Sequence, residues 1–567
     1  MHGGVILFRG TGTDARRYVE ADRSRADDYY LGADTSAAQF TALDGDGNVT
    51  VALGLAPEAY AGWVDWINPL TEESMGKPRL PGDGRQGSPR FAEMVVNAPK
   101  SLSIAAALHP EVSDALDRAQ QDAVAEIQCW LAQHSVTRVG PRGKQEVVPV
   151  EQLQTMAVSH RTSRAGDPHR HIHFQIGTRV WAAGKWRALD TAALFTQQGA
   201  IRALGTAVIA AHPELSEVLD RHGLTLDPVS GEVIELERFN GVMSKRGEQV
   251  RRHLERLEAE WEAAHPGETV GPVVSARLAA KAWAHERPAK KPTTLREEHA
   301  WVNELHEAGY DPDTLRRPAR REPALLDDLS VQTVANRALD RCAAGGSAWT
   351  RHTVQEHATR IMTEYDVQAA PAEIREFVQV ATALAIEDCF SILTPDAPTP
   401  EHVAHLTSLR VVQAETELRD LIAARIPQQD PGHPDVRKAA RRRGLDAGQE
   451  RAAAAVASAD PLVVVEGAAG SGKTTMLGVA IEVAARHGRA SRVVAPTLRA
   501  AQVAHDELGV PATSVAALVH AHGWRWNSDG VWTRLAPGDT DPDTGRTYHG
   551  PAEGARPGGA PMLFVKP

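Results

Sequence analysis

The spacing of apolar residues divides the chain into two α/β parts joined by a helical part. Up to about residue 235, β-branched runs such as VILF, MVVN and HIHFQIGTRVW alternate with helical stretches such as VSDALDRAQQDAVAEIQCWLAQH. Residues 236–425 show helical spacing, interrupted by proline clusters. The basic stretch 426–443 predicts an exposed linker, and residues 444–567 return to α/β alternation.

Composition narrows the class of protein. With 567 residues the chain predicts several domains. No run of 18 apolar residues predicts a membrane span, and MHGGVILFRG lacks the features of a secretion signal. Three widely spaced cysteines, without metal-ligand spacing, favour a reducing cytoplasm. The net charge of −11 gives no indication of nucleic-acid binding, but a local basic surface would suffice for such binding.

The segment SHRTSRAGDPHRHIHFQIGTRV, which starts at Ser159, is rich in histidine. If HIHFQIG is a strand, His171 and His173 point to one face and the apolar residues between and after them to the other. His160 would join them if the preceding segment pairs antiparallel. Three imidazoles on one face predict a divalent metal site, whereas the alternative is a solvent-facing strand with incidental histidines. Zinc-dependent hydrolysis is an alternative function for such a metal site, but the sequence lacks an HExxH motif.

Three of the seven tyrosines fall within DARRYVEADRSRADDYYLGAD, at Tyr18, Tyr29 and Tyr30. With VVNAPKSLS, the histidine segment and a later GAAGSGKTT, in this order, the chain resembles conjugative relaxases of the MobF class. These TrwC/TraI-like relaxase–helicases belong to the HUH endonuclease superfamily. The resemblance covers the first 235 residues well, and the phosphate-loop motif extends it further.

The resemblance implies a set of metal ligands and an acidic partner. His160, His171 and His173 match the family's ligands, for Mg²⁺ or Mn²⁺ with Zn²⁺ as the alternative. Glu93 falls where relatives commonly carry Asp, and its carboxylate would orient a ligand histidine or accept a proton.

The resemblance also assigns the tyrosines. Tyr18 matches the first nucleophile, and Tyr29 or Tyr30 the second tyrosine used in strand transfer or termination. The wide spacing between Tyr18 and Tyr29 leaves Tyr29 open as the leading nucleophile.

Basic residues flank these motifs. These residues either contact DNA phosphates or are solvent-exposed charges without a binding role. These residues are Lys100, Arg161, Arg164 and Arg170.

The motif GAAGSGKT predicts a phosphate loop between the strand LVVVE and a helix. Its residues would bind ATP phosphates and Mg²⁺; they are Gly467, Gly470, Gly472, Lys473 and Thr474. By similarity to RecD-like superfamily 1 helicases, Gln449 would recognise adenine and Thr497 would contact DNA.

The chain is expected to stop within the first helicase motor domain. PMLFV stands where such helicases carry a strand ending in Asp-Glu, and no Asp-Glu follows it. We therefore expect no helicase or ATPase activity from this chain alone.

The resemblance implies an α+β relaxase domain over 1–235 with the HIH strand central in an antiparallel sheet. A mainly helical connector over 236–425 and a partial α/β P-loop (RecA-like) domain over 444–567 would follow.

The implied activity is metal-dependent nicking of single-stranded DNA at a transfer origin through a covalent phosphotyrosine. Accessory relaxosome proteins and a coupling protein are further implied partners. Two other interpretations are a catalytically decayed DNA-binding remnant and a P-loop ATPase with an N-terminal adaptor.

Overall fold

The computed structural model describes most of the chain. The described residues are 4–22, 38–82, 84, 86–141, 143–163, 165–265, 270–284, 295–314, 323–394, 401–426, 432–468, 470–551 and 562–564. They form two compact units. The first comprises Met1–Cys342 and Ala348–Leu406, and the second Ala343–Ser347 and Thr407–Pro567. None of the described helices combines the length and the apolar character that crossing a membrane requires.

The described residues form helices along the whole length of the chain. They are α1 (Gly12–Asp22), α2 (Pro57–Val64), α3 (Lys100–Leu108), α4 (Pro110–His134), α5 (Thr191–Thr196), α6 (Gln198–Ala210), α7 (Pro213–Arg221), α8 (Lys245–Ala264), α9 (Pro272–Ala284), α10 (Leu295–Glu307), α11 (Val331–Gly345), α12 (Arg351–Thr363), α13 (Pro371–Glu387), α14 (Leu409–Ala423), α15 (Arg437–Arg442), α16 (Ala447–Val456), α17 (Lys473–Arg486), α18 (Leu498–Leu508) and α19 (Val515–Ala521).

The strands are mostly in the first 190 residues. They are β1 (Ile6–Phe8), β2 (Ala38–Asp44), β3 (Val49–Leu55), β4 (Phe91–Asn97), β5 (Val136–Val139), β6 (Glu146–Pro149), β7 (Gln152–Thr162), β8 (Pro168–Gly177), β9 (Arg179–Ala182), β10 (Lys185–Ala188), β11 (Cys389–Ser391), β12 (Leu406–Ser408), β13 (Arg492–Ala495), β14 (Ala512–Ser514), β15 (Trp524–Trp526), β16 (Trp532–Arg534) and β17 (Met562–Phe564).

An antiparallel sheet organises the first unit, in the order β1-β4-β8-β7-β2-β3. The strand with the HIH sequence, β8, lies in the middle between β4 and β7. The predicted central position of this strand and the α+β fold are confirmed. Residues on β8 are buried on both faces, as expected for a central strand covered by helices.

Each face of the sheet has its own helical cover. Ile172, Phe174 and Ile176 are buried, and Gln128 of α4 donates a hydrogen bond to Thr155, the cross-strand partner of Ile176. The long helix α4 therefore covers the apolar face of β8. Helices α1 and α2 cover part of the opposite face.

On that opposite face, α1 and α2 contribute to a cluster with the strands. Tyr60 and Trp63 of α2 pack with Ala15 of α1 and with Met156 and Val158 of β7. The cross-strand partners of Met156 and Val158 on β8 are the polar residues that alternate with the apolar ones. This cover therefore lies on the same face as the histidines.

The second unit contains a small parallel sheet, β14-β13-β17. The prediction of a strand over PLVVVEG is wrong, since residues 461–466 form no strand and Val464 is 84% exposed. A parallel strand needs a paired neighbour, and β13 already pairs with β14 and β17 on its two sides. The prediction of a strand over SRVVAPT is confirmed by β13.

The expected linker 426–443 differs from its prediction in the part that the structure describes. Residues 437–442 form α15, and Val436, Ala439 and Ala440 are buried. Val436 and Ala439 pack with α16 and α17. The domain boundaries at 235, 425 and 443 stay predictions.

The start of α1 depends on a close approach to α2. The amide of Gly12 donates to Asp65 Oδ1 at 3.0 Å, and Arg90 contacts the same oxygen at 3.0 Å. A Cβ atom on Gly12 would collide with the carbonyl oxygen of Ala61. Only glycine allows α1 to begin at this place.

Gly12→Ala should therefore lower the free energy of unfolding of the first unit by about 1–3 kcal/mol, as overpacking commonly does. Gly82→Ala is the matched control, because a Cβ atom there meets nothing within 4 Å. Differential scanning calorimetry of both variants measures the effect. Equal melting temperatures would contradict the close packing of α1 on α2.

Candidate functional site

Three histidines meet on the sheet face opposite α4. His160 of β7 lies directly across from His171 of β8, and His173 follows two residues along β8. Their ring centroids are 5.1–5.3 Å apart, and their exposed fractions are 3%, 8% and 7%. The antiparallel pairing predicted from the sequence is confirmed. His169 stacks on His171 with centroids 4.6 Å apart.

A chain of buried polar contacts fixes one of these imidazoles. His173 Nδ1 lies 3.2 Å from Glu93 Oε1. Gln175 donates to the other oxygen of Glu93 at 3.1 Å, and the hydroxyl of Tyr60 donates to Gln175 at 3.0 Å. Glu93 and Gln175 are cross-strand partners, so the sheet itself brings them together. Glu93 is thus placed to orient His173, one of the two roles expected for it.

Gln175 and Tyr60 also belong to this network, although no sequence motif includes them as site residues. Gln175 continues the alternation of His171 and His173, and this signal would have found it. Tyr60 is remote in sequence, and its contact with Gln175 spans 115 residues. The tertiary fold alone reveals its role.

The centroid spacing of the three imidazoles is that expected around one divalent metal ion. Nitrogen atoms at about 2.1 Å from an ion in tetrahedral directions would place the ring centroids roughly 5 Å apart. Burial, with the neighbouring imidazoles of His169, His173 and His160, lowers the pKa of His171 well below its ordinary value. A neutral imidazole is the form that binds a metal.

The tyrosines are only partly described. Tyr18 lies within α1, and its side chain is outside the described residues. Tyr29 and Tyr30 also lie outside the described residues. Helix α1 follows β1, whose Ile6 pairs with Glu93. The backbone of Tyr18 therefore belongs to the element that leaves the sheet beside the acidic residue of the site.

The basic residues beside the motifs make protein contacts. The ammonium of Lys100 donates to the carbonyl of Pro168 at 2.8 Å, and burial lowers its pKa to about 8. Arg161 and Arg170 both form ion pairs with Asp117 of α4, a residue that the sequence analysis did not identify. Arg164 lies outside the described residues.

A cavity lies where α4 meets β7 and β8. Its lining includes Asp117, Gln120, His160, Arg161 and His171. Gln120 donates to the carbonyl of Val96 at 3.2 Å, so this wall is anchored to the sheet. The cavity thus adjoins two of the three histidines.

The phosphate loop lies in the second unit. Gly472 adopts a left-handed φ of 70° and immediately precedes α17, which begins at Lys473. The Lys473 ammonium donates to the carbonyls of Gly467 and Ala468 at 2.9 and 2.8 Å. The predicted loop-to-helix transition is thus present, without the preceding strand. The neighbouring residues Gly470, at φ 73°, and Thr474, partly buried, complete the motif.

Gln449 contacts this loop. Its side chain donates to the carbonyl of Ser471 at 2.8 Å and also accepts from the amide of Asp446, in a capping box of α16. Thr497 caps α18 by accepting from the amide of Ala500 at 3.2 Å. Both residues have local structural contacts in addition to the roles expected for them.

The fold and the buried histidine site define a member of a relaxase-like class. A family model described as TrwC relaxase matches residues 12–308, more than half of the chain, so the protein belongs to the TrwC relaxase family. A second family model, described as an AAA domain, matches residues 444–540.

Solved structures of the conjugative relaxase TrwC are similar to this chain. The complexes with oriT DNA in metal-free and metal-bound form each share 21% identity and give TM-scores of 0.39. A complex with a 27-mer DNA comprising the recognition hairpin and the cleavage site shares 20% identity, with a TM-score of 0.37. Each comparison covers 54% of this chain and 99% of the TrwC chain. No curated protein matches the chain.

Glu93→Gln should weaken Mn²⁺ binding about 10–100-fold, because the amide lacks the charge that holds His173 in its metal-binding orientation. Isothermal titration calorimetry with Mn²⁺ measures the affinity. Glu146→Gln, on exposed β6, is the matched control and should leave it unchanged. The same affinity in both variants would contradict the role of Glu93.

Proposed function

We propose that the protein nicks single-stranded DNA at a transfer origin, in a metal-dependent, site- and strand-specific tyrosine transesterification. The observation that carries this proposal is the convergence of three buried imidazoles, with Glu93 beside one of them, in a chain of the TrwC relaxase family.

His160, His171 and His173 would hold the divalent ion, of the Mg²⁺ or Mn²⁺ type or Zn²⁺. When bound, such an ion polarises a phosphate oxygen and stabilises the negative charge that develops during displacement. Glu93 and Gln175 keep His173 in a fixed orientation, since both side chains are buried and hydrogen-bonded. The imidazoles are then ready for the substrate without reorganisation.

In the nicking step the phenol oxygen of Tyr18 attacks the scissile phosphorus. The bond from phosphorus to the 3′ oxygen breaks, and a bond from phosphorus to the tyrosine oxygen forms. The phenol gives up its proton, and the leaving 3′ oxygen gains one. The 5′ end stays attached to the protein as a phosphotyrosine, and a free 3′ hydroxyl remains. Tyr29 or Tyr30 would serve in the second transfer that releases this end.

The partner is unpaired DNA, because a phosphodiester inside a duplex could not reach a buried site. The DNA-bound complexes of TrwC support this choice of partner. Arg161 and Arg170 are the sequence neighbours of His160 and His171 and form ion pairs with Asp117. We place phosphate contacts at these arginines, together with Lys100 and Arg164. Accessory relaxosome proteins and a coupling protein complete the proposed partners.

Tyr18→Phe should abolish the covalent adduct with single-stranded DNA from the transfer region beside the gene, because the attacking oxygen is missing. The adduct is detected on a denaturing gel in Mg²⁺ or Mn²⁺. His171→Ala should abolish it as well, whereas Tyr365→Phe, a partly exposed tyrosine elsewhere, should keep it.

An adduct that persists in Tyr18→Phe would identify Tyr29 or Tyr30 as the leading nucleophile. If the wild-type chain neither binds metal nor forms an adduct with either strand of that region, the nicking proposal fails and the decayed DNA-binding remnant is favoured.

We further propose that the second unit binds ATP at the phosphate loop. The amides at the start of α17 and the ammonium of Lys473 would contact the phosphates, Thr474 would bind Mg²⁺, and Gln449 would contact adenine. The match to an AAA domain and the left-handed turn at Gly472 support this proposal.

Lys473→Ala should lower the affinity for a fluorescent ATP analogue about 10–100-fold, since a hydrogen bond to a charged group contributes about 1.5–3 kcal/mol. Fluorescence anisotropy measures the binding. Lys438→Ala, an exposed lysine of α15, is the matched control. The wild-type chain should show no DNA-stimulated ATPase activity, and a turnover that Lys473→Ala abolishes would contradict this expectation.

A further inference from the structure

A second group of ligating side chains lies in the first unit, at the end of α4. His134 is the last residue of α4, His352 lies in the first turn of α12, and Glu401 precedes β12. One ligand atom of each residue lies within 4.8 Å of the others. His134 Nδ1 and Glu401 Oε2 are 2.8 Å apart. Three distant stretches of chain therefore bring two imidazoles and a carboxylate to one point.

The imidazole of His352 is the most unusual member of this group. It is 1% exposed, and neither of its ring nitrogens has a hydrogen-bond partner among the described residues. Buried polar atoms without partners are rare in folded proteins and cost free energy. A neutral imidazole with an unused nitrogen lone pair in this position fits a ligand that the side chains alone do not supply.

The surroundings hold the group in place. Trp130 packs on His134 with centroids 3.8 Å apart and meets the edge of His352 at 5.5 Å. The indole of Trp130 donates to Gln197 at 3.2 Å, and Gln197 donates to the carbonyl of His134 at 2.9 Å. The tryptophan covers the imidazoles on one side, while the Glu401 carboxylate is about half exposed and leaves access for an ion.

The protonation states are compatible with a cation. Burial, together with His134, lowers the pKa of His352 to about 4, so this imidazole is neutral at pH 7. The hydrogen bond with His134 lowers the pKa of Glu401, which is therefore a carboxylate. A carboxylate and imidazole nitrogens are ligands that suit a divalent transition-metal ion such as Zn²⁺.

We propose that His134, His352 and Glu401 form a second divalent metal site, of the zinc type, that is separate from the histidines of the sheet. His352 and Glu401 lie beyond residues 12–308, the range of the relaxase family match. The ion ties the end of α4 to the start of α12 and to the segment before β12. Its role is to stabilise the first unit, with water or another group at the remaining coordination position.

The test uses the full chain carrying His171→Ala, which removes a ligand from the site on the sheet. The chain is stripped with a chelator, dialysed against Zn²⁺ or Co²⁺, and its metal content is measured by mass spectrometry. We expect one equivalent of ion to remain, visible for Co²⁺ as d–d absorption bands. Zn²⁺ should also raise the melting temperature of this chain.

In the same background, Glu401→Gln should lower the Zn²⁺ affinity at least tenfold and remove the thermal stabilisation by Zn²⁺. Because Glu401 is half exposed, this variant is expected to fold. His352→Leu should also lose the ion, while its melting temperature without metal should not fall, since leucine has no polar atoms to bury. His265→Gln, a half-buried histidine outside the group, is the matched control.

Two results would overturn the proposal. The first is a His171→Ala chain that retains no ion and is not stabilised by Zn²⁺. The second is an ion retained with equal affinity after Glu401→Gln. Neither result concerns the nicking activity, so this proposal and the proposed function fail independently.

Discussion

The antiparallel pairing of β7 with β8 is the constraint on which the functional site depends. It sets His160 directly across from His171, and it leaves Gln175 across from Met156 under the cover of α2. Since side chains alternate along a strand, a shift of the β7–β8 register by one residue would replace His171 with Ile172 on this face. The three histidines would then no longer lie together. The register is held by Phe174 and Ile176, whose buried side chains must face α4. The packing of the core thus determines the geometry of the site.

The same sheet face changes character along β8. At one end, Tyr60 and Trp63 cover it with aromatic rings, and at the other lie His160 and His171. Glu93 and Gln175 lie between the two ends, where Gln175 donates to Glu93 and accepts from Tyr60. A buried carboxylate needs such partners, because an unpaired charge in the interior is costly. The Tyr60 hydroxyl therefore contributes to the site through Gln175 without facing the cavity.

The sequence was sufficient to predict those features that depend on neighbouring residues or on a regular alternation of apolar and polar residues. Alternation along HIHFQIG predicted which residues share a face, and antiparallel pairing was the condition under which His160 would join them. The sequence was insufficient where contacts are remote, as for Tyr60 and Asp117. It also could not show that Arg161 and Arg170 are held by one carboxylate on α4. The fold fixes the positions of these two guanidinium groups, which a count of charges along the chain cannot reveal.

In the second unit, the phosphate loop also shows that contacts close in sequence could be predicted and remote contacts could not. The turn at Gly472 and the capping box of Asp446 and Gln449 involve residues close in sequence, and both are present. The strand predicted at 461–466 requires neighbours that are remote in sequence, and it is absent from the described structure. Its valines would be buried only if a further strand paired beside them. The amides that would bind phosphate belong to the start of α17, however, and this helix is held by its own packing against α15 and α16. Phosphate binding at the loop therefore depends on the helix more than on the missing strand.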